Sequence, residues 1–226
     1  IPRNGESDVL YRSRIIKSAS RGMGFADSIM NAVSRVNGVQ KVVVLDNGSA
    51  HPDALPKNNL GIPRPESIAV ASHSVFICVK GGDDTKITEA IRSTISAGCG
   101  YTTDSEYGIV TSKTIVDTDT NTSFTAKFYR PTNRYLKVEV DVNGASYTGS
   151  DIISDTKKAI LESIIDNSMN STLTKSSLIA SIASVGKNIV CTNQKFTISD
   201  TDSTVSTGIE VNEVIVQPYK YIPTGS

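Results

Sequence analysis

The spacing of apolar side chains along the chain predicts a succession of helices and strands. In several segments apolar residues recur every three or four positions, which is the periodicity of a helix that buries one face. Gly38 stands where a glycine commonly ends the second of these helices. The predicted helices cover residues 8–20, 25–36, 84–97, 153–169 and 175–184.

Two other patterns predict strands between these helices. Val39–Leu45 and Val75–Val79 are nearly continuous apolar runs, which are typical of strands buried on both faces. Apolar residues from Leu136 to Val142 alternate with charged ones, and this period of two predicts a half-buried antiparallel strand. Further strands are predicted at 109–116, 124–129, 189–191, 196–199 and 211–217.

Ser49–Ser72 follows neither periodicity. It contains Pro52, Pro56, Pro63 and Pro65, four of the 8 prolines in the chain, and these exclude a regular helix or a central strand. A segment of this length inside a compact domain is usually functional. Two interpretations remain open: an arm that contacts a partner, and a loop packed on its own domain.

These elements predict an α+β fold with two small mixed or antiparallel sheets flanked by helices. We divide the chain into residues 1–72 (N-terminal helices, a strand and the proline-rich arm), 73–150 (a central α/β core with β-hairpins) and 151–226 (a helix–helix–strand subdomain). The order helix, glycine, basic residue, strand occurs in both Phe25–Leu45 and Leu178–Cys191. This repetition raises the hypothesis of two related α/β halves.

Composition narrows the classes of function. The chain has 23 basic and 23 acidic side chains, so no overall positive field favours nucleic acid. Its 3 cysteines are widely spaced and odd in number, which favours reduced thiols over a disulfide framework. We find no signal peptide, and no apolar run of the roughly 20 residues that span a bilayer. Because the chain begins at Ile1 and not at Met, we expect a trimmed or processed product.

Residue types that carry out catalysis or bind metals are sparse. His51 and His73 are the only 2 histidines, and a zinc site requires more histidines and cysteines at short spacing. Cys99 lies between two glycines, where close backbone approach explains the sequence better than a nucleophile, because no histidine is near in sequence. We therefore assign no catalytic, cofactor-binding or metal-binding residue.

Aspartates near turns have a similarly simple interpretation. Asp83 and Asp84 follow two glycines but lack the spacing of a phosphate-binding loop, so we expect them to cap a helix. Asp117 with Asp119, and Asp200 with Asp202, form Asp-x-Asp pairs. Calcium loops need additional ligands and a glutamate at fixed spacing, so these pairs are predicted to be polar turns.

Three short segments together resemble a known family. They are Ser-His-Ser-Val-Phe-Ile-Cys-Val-Lys-Gly-Gly-Asp-Asp at 72–84, Ala-Gly-Cys-Gly-Tyr-Thr at 97–102 and Lys-Phe-Tyr-Arg-Pro-Thr at 127–132. In this order they resemble the baseplate J-like family of contractile-tailed bacteriophages. Gly38-Val39 stands where the family has its own Gly-Val. Family members are commonly longer, so we expect this chain to be the domain core.

The resemblance implies a structural, non-enzymatic role. It implies a wedge or inner-ring protein of the tail baseplate, which joins the central hub to peripheral parts in a phage or prophage-derived particle. The implied partners are other baseplate and tail proteins and further copies of the chain around a sixfold axis. The implied location is the virion tail, assembled in the bacterial host cytoplasm. Nucleic acid, membrane, cofactor and small-molecule substrate are not expected.

Two alternatives remain open. A tail-associated hydrolase of cell-wall polymers would need paired carboxylates, one with a raised pKa, and Glu106, Glu139 and Glu162 are the possible acids. A stand-alone surface-binding or adhesion module is suggested by the strands rich in threonine and serine, and it would bind a glycan or a cell surface by itself.

Overall fold

The fold is α+β, as predicted, and its contacts divide the chain into two units, Ile1–Arg130 and Pro131–Ser226. The structure is a computed structural model that describes residues 25–48, 68–144, 151–166, 168–186, 189–201, 209–216 and 220–223. The predicted helix at 8–20 and most of the proline-rich arm, 49–67, lie outside the described residues.

The first unit contains a five-stranded mixed sheet and two helices. The elements are α1 Phe25–Val33, β1 Val39–Asn47, β2 Ser74–Gly81, α2 Asp84–Arg92, β3 Gly100–Tyr101, β4 Ile109–Asp117 and β5 Thr122–Arg130. Strand β2 is central: β1 pairs with it antiparallel on one side, and β3 and β5 pair with it parallel on the other. Strand β4 pairs antiparallel with β5 and forms an edge of the sheet.

Both faces of this sheet are covered near β2, which explains the continuous apolar runs. On one face Ile29 and Val33 of α1 and Ile87 and Ile91 of α2 pack against the strands, and all four are fully buried. On the other face, the Phe76 and Tyr129 rings stack with centroids 4.8 Å apart, and the Tyr107 ring meets Phe76 edge-on.

The end of the predicted proline-rich arm also covers this second face. Ile68 and Val70 are buried. Asn47 donates a 2.8 Å hydrogen bond to the carbonyl of Val70, and the amide of Ala71 donates to the Thr102 hydroxyl over 3.1 Å. Residues 68–71 are therefore packed on their own domain.

The second unit is built around a three-stranded antiparallel sheet in the order β10-β9-β7. Two short ladders accompany it: β8 with β11, antiparallel, and β6 with β12, parallel. Its core contains the fully buried Leu173, Leu178, Ile182, Phe196 and Val214. The elements are β6 Thr132–Asn133, β7 Tyr135–Asn143, α3 Ile152–Asp166, β8 Ser171–Thr174, α4 Lys175–Ala183, β9 Val190–Ser199, β10 Ile209–Val211, β11 Glu213–Val216 and β12 Lys220–Tyr221.

The division between the units falls after Arg130, whereas the sequence segments end at residues 72 and 150. The physical reason is strand pairing. β1 pairs with β2 across the boundary at 72, and β7 pairs with β9 across the boundary at 150.

The order helix, glycine, strand does occur in both units, as α1, Gly38, β1 and as α4, Gly186, β9. That the two units are related stays a hypothesis.

The predicted ends of two helices are wrong for local reasons. Helix α2 ends at Arg92 and not near residue 97, because the hydroxyls of Ser93 and Thr94 bind the carbonyl of Ala90 and compete with helix continuation. Helix α1 ends at Val33, three residues early, in a series of turns that leads to Gly38 at φ +83°.

The predicted strands of the second unit are rearranged in a comparable way. Segments 189–191 and 196–199 belong to one strand, β9, because a register shift opposite Glu139 and Asp141 absorbs Asn193 at φ +54°. Segment 211–217 instead divides at Asn212: Val211 ends β10, and Glu213–Val216 forms β11 in a different sheet.

Candidate functional site

The residues that carry the family resemblance meet around strand β2. Segment 72–84 contains β2 itself. Gly38-Val39 begins β1, where Val39 pairs with Gly81 at the end of β2. Segment 97–102 contains β3, which pairs with the start of β2. Arg130 ends β5, whose Tyr129 pairs with Cys78. We call the contacts at the end of β2 the glycine–arginine junction (Gly38, Val39, Gly81–Asp84 and Arg130).

Arg130 binds the turn that follows β2. Its guanidinium donates to the carbonyl of Val79 at 3.0 Å, of Gly81 at 2.5 Å and of Gly82 at 3.0 Å, and it forms an ion pair with Asp84. Bonds from a charged donor are stronger than neutral ones, and the planar guanidinium reaches several acceptors at once. This side chain therefore fixes the path from β2 into α2.

The glycines of the junction are required by close backbone approach. Gly81 and Gly82 both have φ +76°, a backbone conformation that residues other than glycine rarely adopt. A Cβ on Gly81 would lie 2.3 Å from the carbonyl oxygen of Gly38, and one on Gly82 would lie 2.5 Å from a methyl group of Val39. The turn and the start of β1 can approach this closely only without side chains.

Asp83 has the capping role that the sequence predicted. Its carboxylate accepts a 3.0 Å hydrogen bond from the amide of Lys86 and so satisfies a free donor of the first turn of α2. Asp84, the first residue of α2, is held by Arg130. The two aspartates thus start the helix and attach it to β5.

A second set of contacts joins segment 97–102 to the start of β2. The amide of Gly100 donates to the carbonyl of His73 over 2.9 Å, and the amide of Thr102 donates to Val75 over 2.9 Å. A Cβ on Gly100 would lie 2.6 Å from the hydroxyl oxygen of Ser74, which agrees with the predicted close approach. Gly98, at φ +83°, has open space around it and serves the turn.

The fold brings His73 and Cys99 to one cleft, which sequence distance alone did not indicate. The cleft has a volume of about 300 Å³, and its lining includes Phe25, Asp46 and Asn47. Burial raises the pKa of the Cys99 thiol, and the negative charge of Asp46 raises it further. A nucleophilic cysteine requires a lowered pKa, so this environment opposes thiolate chemistry.

A larger groove lies between α1 and the first half of β1. Its volume is about 430 Å³, and the side chains that line it include Asp27, Met30, Ser34, Gln40 and Val42. The lining combines one carboxylate and one lysine, Lys41, with neutral polar and apolar groups. This chemistry is suited to packing or docking and offers no pair of acids for hydrolysis.

Asp117 is held in a polar turn, as the sequence predicted. Its carboxylate accepts from Arg92 over 2.7 Å and from the amides of Asp119 and Thr120 over 3.0 and 3.2 Å. The hydrogen bond from Arg92, followed by those from the two amides, lowers the pKa of Asp117. Its oxygens are thus used by the hairpin and by α2.

Asp200 lies between two cations of the second unit. Its carboxylate is 3.2 Å from the ammonium of Lys220 and 3.6 Å from the guanidinium of Arg134. Burial acts to raise the pKa of Asp200, but Lys220 and Arg134 outweigh it, and the pKa is lowered.

Asp202, the Asp-x-Asp partner of Asp200, and the candidate His51 lie outside the described residues.

The three candidate acids lie on separate elements. Glu106 is in a 3-10 turn of the first unit, whereas Glu139 is on β7 and Glu162 on α3 of the second. A 2.9 Å hydrogen bond from Lys137 lowers the pKa of Glu139, whereas a general acid needs a raised pKa. Among the described residues, no three histidine, cysteine or carboxylate side chains are grouped for a metal ion.

Comparison with known proteins adds no relative. No family model matches the chain. No curated protein is significantly similar in sequence. Within the part of the chain that the structure describes, no helix is long and apolar enough to cross a membrane. The baseplate resemblance thus stays a prediction based on residues 38–39, 72–84, 97–102 and 127–132.

Proposed function

We propose that this chain is a structural component of a contractile-tail baseplate, a wedge or inner-ring protein of a phage or prophage-derived particle. The observation that supports the proposal is the contact set around β2. Segments separated by dozens of residues, identified only by their resemblance and order, touch one another through Arg130, the paired glycines and β3. The contacts give these segments a common structural role in the first unit, as the shared framework of a family would require.

The chemistry of these contacts favours an architectural role. Three carbonyl oxygens and a carboxylate surround the Arg130 guanidinium, so its donors serve the fold. The Cys99 thiol has a raised pKa, and Asp83 serves a helix cap. Arg130 and Asp83 thus have structural uses, and the environment of Cys99 opposes thiolate chemistry.

A wedge protein must also dock on several neighbours, and α3 offers a surface for this. Ile153, Leu161 and Ile165 are exposed and lie on one side of the helix, eight and four residues apart. Exposed apolar groups that share a face mark protein contact sites more often than isolated ones do. We assign this face to contacts with other baseplate proteins or with further copies around the sixfold axis.

The first experiment is mass spectrometry of purified tail particles from the source of the chain, with electron microscopy of the same fractions. The proposal predicts the chain in particles with contractile tails, at a constant ratio to sheath and tube proteins. Contractile particles that lack the chain would refute it. Recovery of the chain only as free protein would return the hydrolase and adhesion alternatives, which peptidoglycan cleavage and glycan-binding assays separate.

A variant pair tests the docking face of α3. Leu161→Gln combined with Ile165→Gln should leave the circular dichroism spectrum unchanged, because both side chains are exposed, but should lower incorporation into particles. Glu162→Gln, at an exposed neighbouring position, is the matched control and should incorporate normally. Normal incorporation of the double variant would remove α3 from the interface.

A further inference from the structure

Strand β4 is a long and regular edge of its sheet. It has nine residues, Ile109–Asp117, and each is paired in unbroken register with β5. Among the described residues no strand pairs with its other side. A row of unpaired backbone amides and carbonyls is a template for another extended chain. The strand contains no proline, which would remove a donor.

The two other nine-residue edge strands are different. The pairing of β1 has a register shift between Val39 and Lys41, and that of β7 has one between Glu139 and Asp141. Bulges of this kind disfavour the addition of a further strand. Strand β4 lacks the bulge. Its one lysine, Lys113, is a charge that a carboxylate on the added strand would offset.

Side chains on β4 indicate the chemistry of its partner. Ile109 and Val116, near its two ends, are 75% and 59% exposed. Lys113 stands at the centre as the fifth of nine residues, and its ammonium has no ion-pair partner among the described residues. Ile109 and Lys113 share one face of the sheet, whereas Val116 lies on the other. A partner strand thus meets one apolar side chain near each end, on opposite faces, and one positive charge in the middle.

The same charge disfavours a second copy of β4 as the partner. In full-length pairing of two β4 strands, in either direction, Lys113 would lie beside Lys113. Like charges in directly opposed positions destabilise a sheet, whereas opposite charges stabilise it. The central lysine therefore selects for a carboxylate on the added strand.

We propose that β4 accepts an extended strand of another protein, which carries an acidic side chain opposite Lys113. The added strand would continue the five-stranded sheet beyond β4, with backbone hydrogen bonds for affinity and side chains for selectivity. This inference goes beyond the baseplate proposal and does not depend on it. Its test uses the purified chain, so the particle experiment succeeds or fails separately.

The test measures binding of two labelled nonapeptides by fluorescence anisotropy. Both consist of alternating threonine and valine; one has glutamate at its centre and the other has lysine. The glutamate peptide should bind the full chain several-fold more tightly than the lysine peptide, the range expected for one cross-strand charge pair. Hydrogen exchange of the complex should show slower exchange at residues 109–117.

Charge reversal provides the decisive comparison. Lys113→Glu should reverse the preference and favour the lysine peptide, and Lys113→Gln should abolish the preference. Lys127→Glu on β5 is the matched control, since it makes the same change of charge one strand further from the edge, and it should keep the wild-type preference.

Four results would overturn the inference. They are no binding of either peptide, equal binding of both, slower exchange at a strand other than β4, and self-association of the full chain that protects β4. The last result would identify a second copy as the occupant. A preference that Lys113→Glu leaves unchanged would count against the role of Lys113 in the same way.

Discussion

Two glycine-to-alanine substitutions separate backbone strain from close approach. Gly81 and Gly98 have nearly the same conformation, with φ +76° and +83°. Around Gly98 an added Cβ meets nothing within 4 Å, but on Gly81 it would lie 2.3 Å from the carbonyl oxygen of Gly38. The comparison therefore keeps the backbone strain constant and changes only the contact.

The expected magnitudes follow from these contacts. A left-handed conformation costs alanine roughly 1–2 kcal/mol, and this is the full expected loss for Gly98→Ala. In Gly81→Ala the oxygen of Gly38 belongs to the backbone and cannot rotate away. Relief requires movement of the β1–β2 pair, which adds about 1–3 kcal/mol for overpacking and weakens the bond from Arg130 to Gly81. We expect a total loss of about 2–5 kcal/mol for Gly81→Ala.

Urea unfolding measures the difference, with hydrogen exchange to locate it. Because the chain has two units, we do not assume a single unfolding transition. Hydrogen exchange in peptides from β2 reports on the first unit, and exchange in peptides from β9 reports on the second. With urea slopes of about 1–3 kcal/mol per molar, Gly81→Ala should lower the first unit's midpoint by roughly 1 M more than Gly98→Ala. Equal shifts for the two variants would refute the close-approach argument.

Three further predictions concern other contacts of the first unit. Arg130→Ala should destabilise this unit by about 3 kcal/mol in urea, because it removes charged hydrogen bonds to three carbonyls. Arg92→Ala should cost clearly less, because its ion pair with Asp117 is partly exposed; equal losses would contradict this. Asp46→Asn should speed the alkylation of Cys99 by iodoacetamide at pH 8, because loss of the negative charge lowers the pKa of the thiol. Mass spectrometry measures the rate, and an unchanged or slower rate would contradict the prediction. The folded-state pKa of Asp117 is lowered, so its ion pair stabilises the fold above the ordinary aspartate pKa and is lost as pH falls through the folded value. The stability difference between wild type and Arg92→Ala should therefore be constant from about pH 5 to 7 and shrink below about pH 4. A difference that persists at low pH would contradict the assignment.

Side-chain periodicity predicted the elements that pack regularly. In β7 the half-buried Val138, Val140 and Val142 alternate with the exposed Glu139 and Asp141. The continuous apolar run of β2 is buried from both sides. Each position of such an element is either buried or exposed, and the choice of an apolar or a polar residue indicates which. The cap at Asp83 was predictable for the same reason, because a cap involves only residues three apart.

Features that depend on a few local hydrogen bonds were predicted poorly. The early end of α2 depends on the hydroxyls of Ser93 and Thr94, although Ile95 continues the apolar spacing beyond it. The continuity of β9 depends on Asn193, whose polar side chain resembles a turn but here adopts φ +54° within a bulge and donates to Asp141. In both places the choice of polar residue outweighs the apolar pattern.

Contacts between distant segments lay beyond sequence reasoning. The resemblance included Arg130, but no local pattern relates it to carbonyls 48 to 51 residues earlier in the chain. The proximity of His73 to Cys99 likewise arises because β3 pairs with the start of β2. A glycine-rich turn and a distant arginine would be worth testing as partners in other sequences, since a guanidinium can bind several turn carbonyls at once.

The location of the resemblance determines what it can support. Its glycines, its capping aspartate and Arg130 all act inside the first unit, where packing and hydrogen bonding constrain them. Partners instead meet surface groups, such as the half-buried Lys113 on the edge of β4 and the exposed Leu161 on α3. Neither belongs to a segment that carries the resemblance. Surfaces can therefore differ between proteins that share this internal framework. For this reason the framework supports the architecture of the first unit more strongly than it supports any particular partner, and variants of the exposed groups test the proposed assembly more directly than variants of the junction.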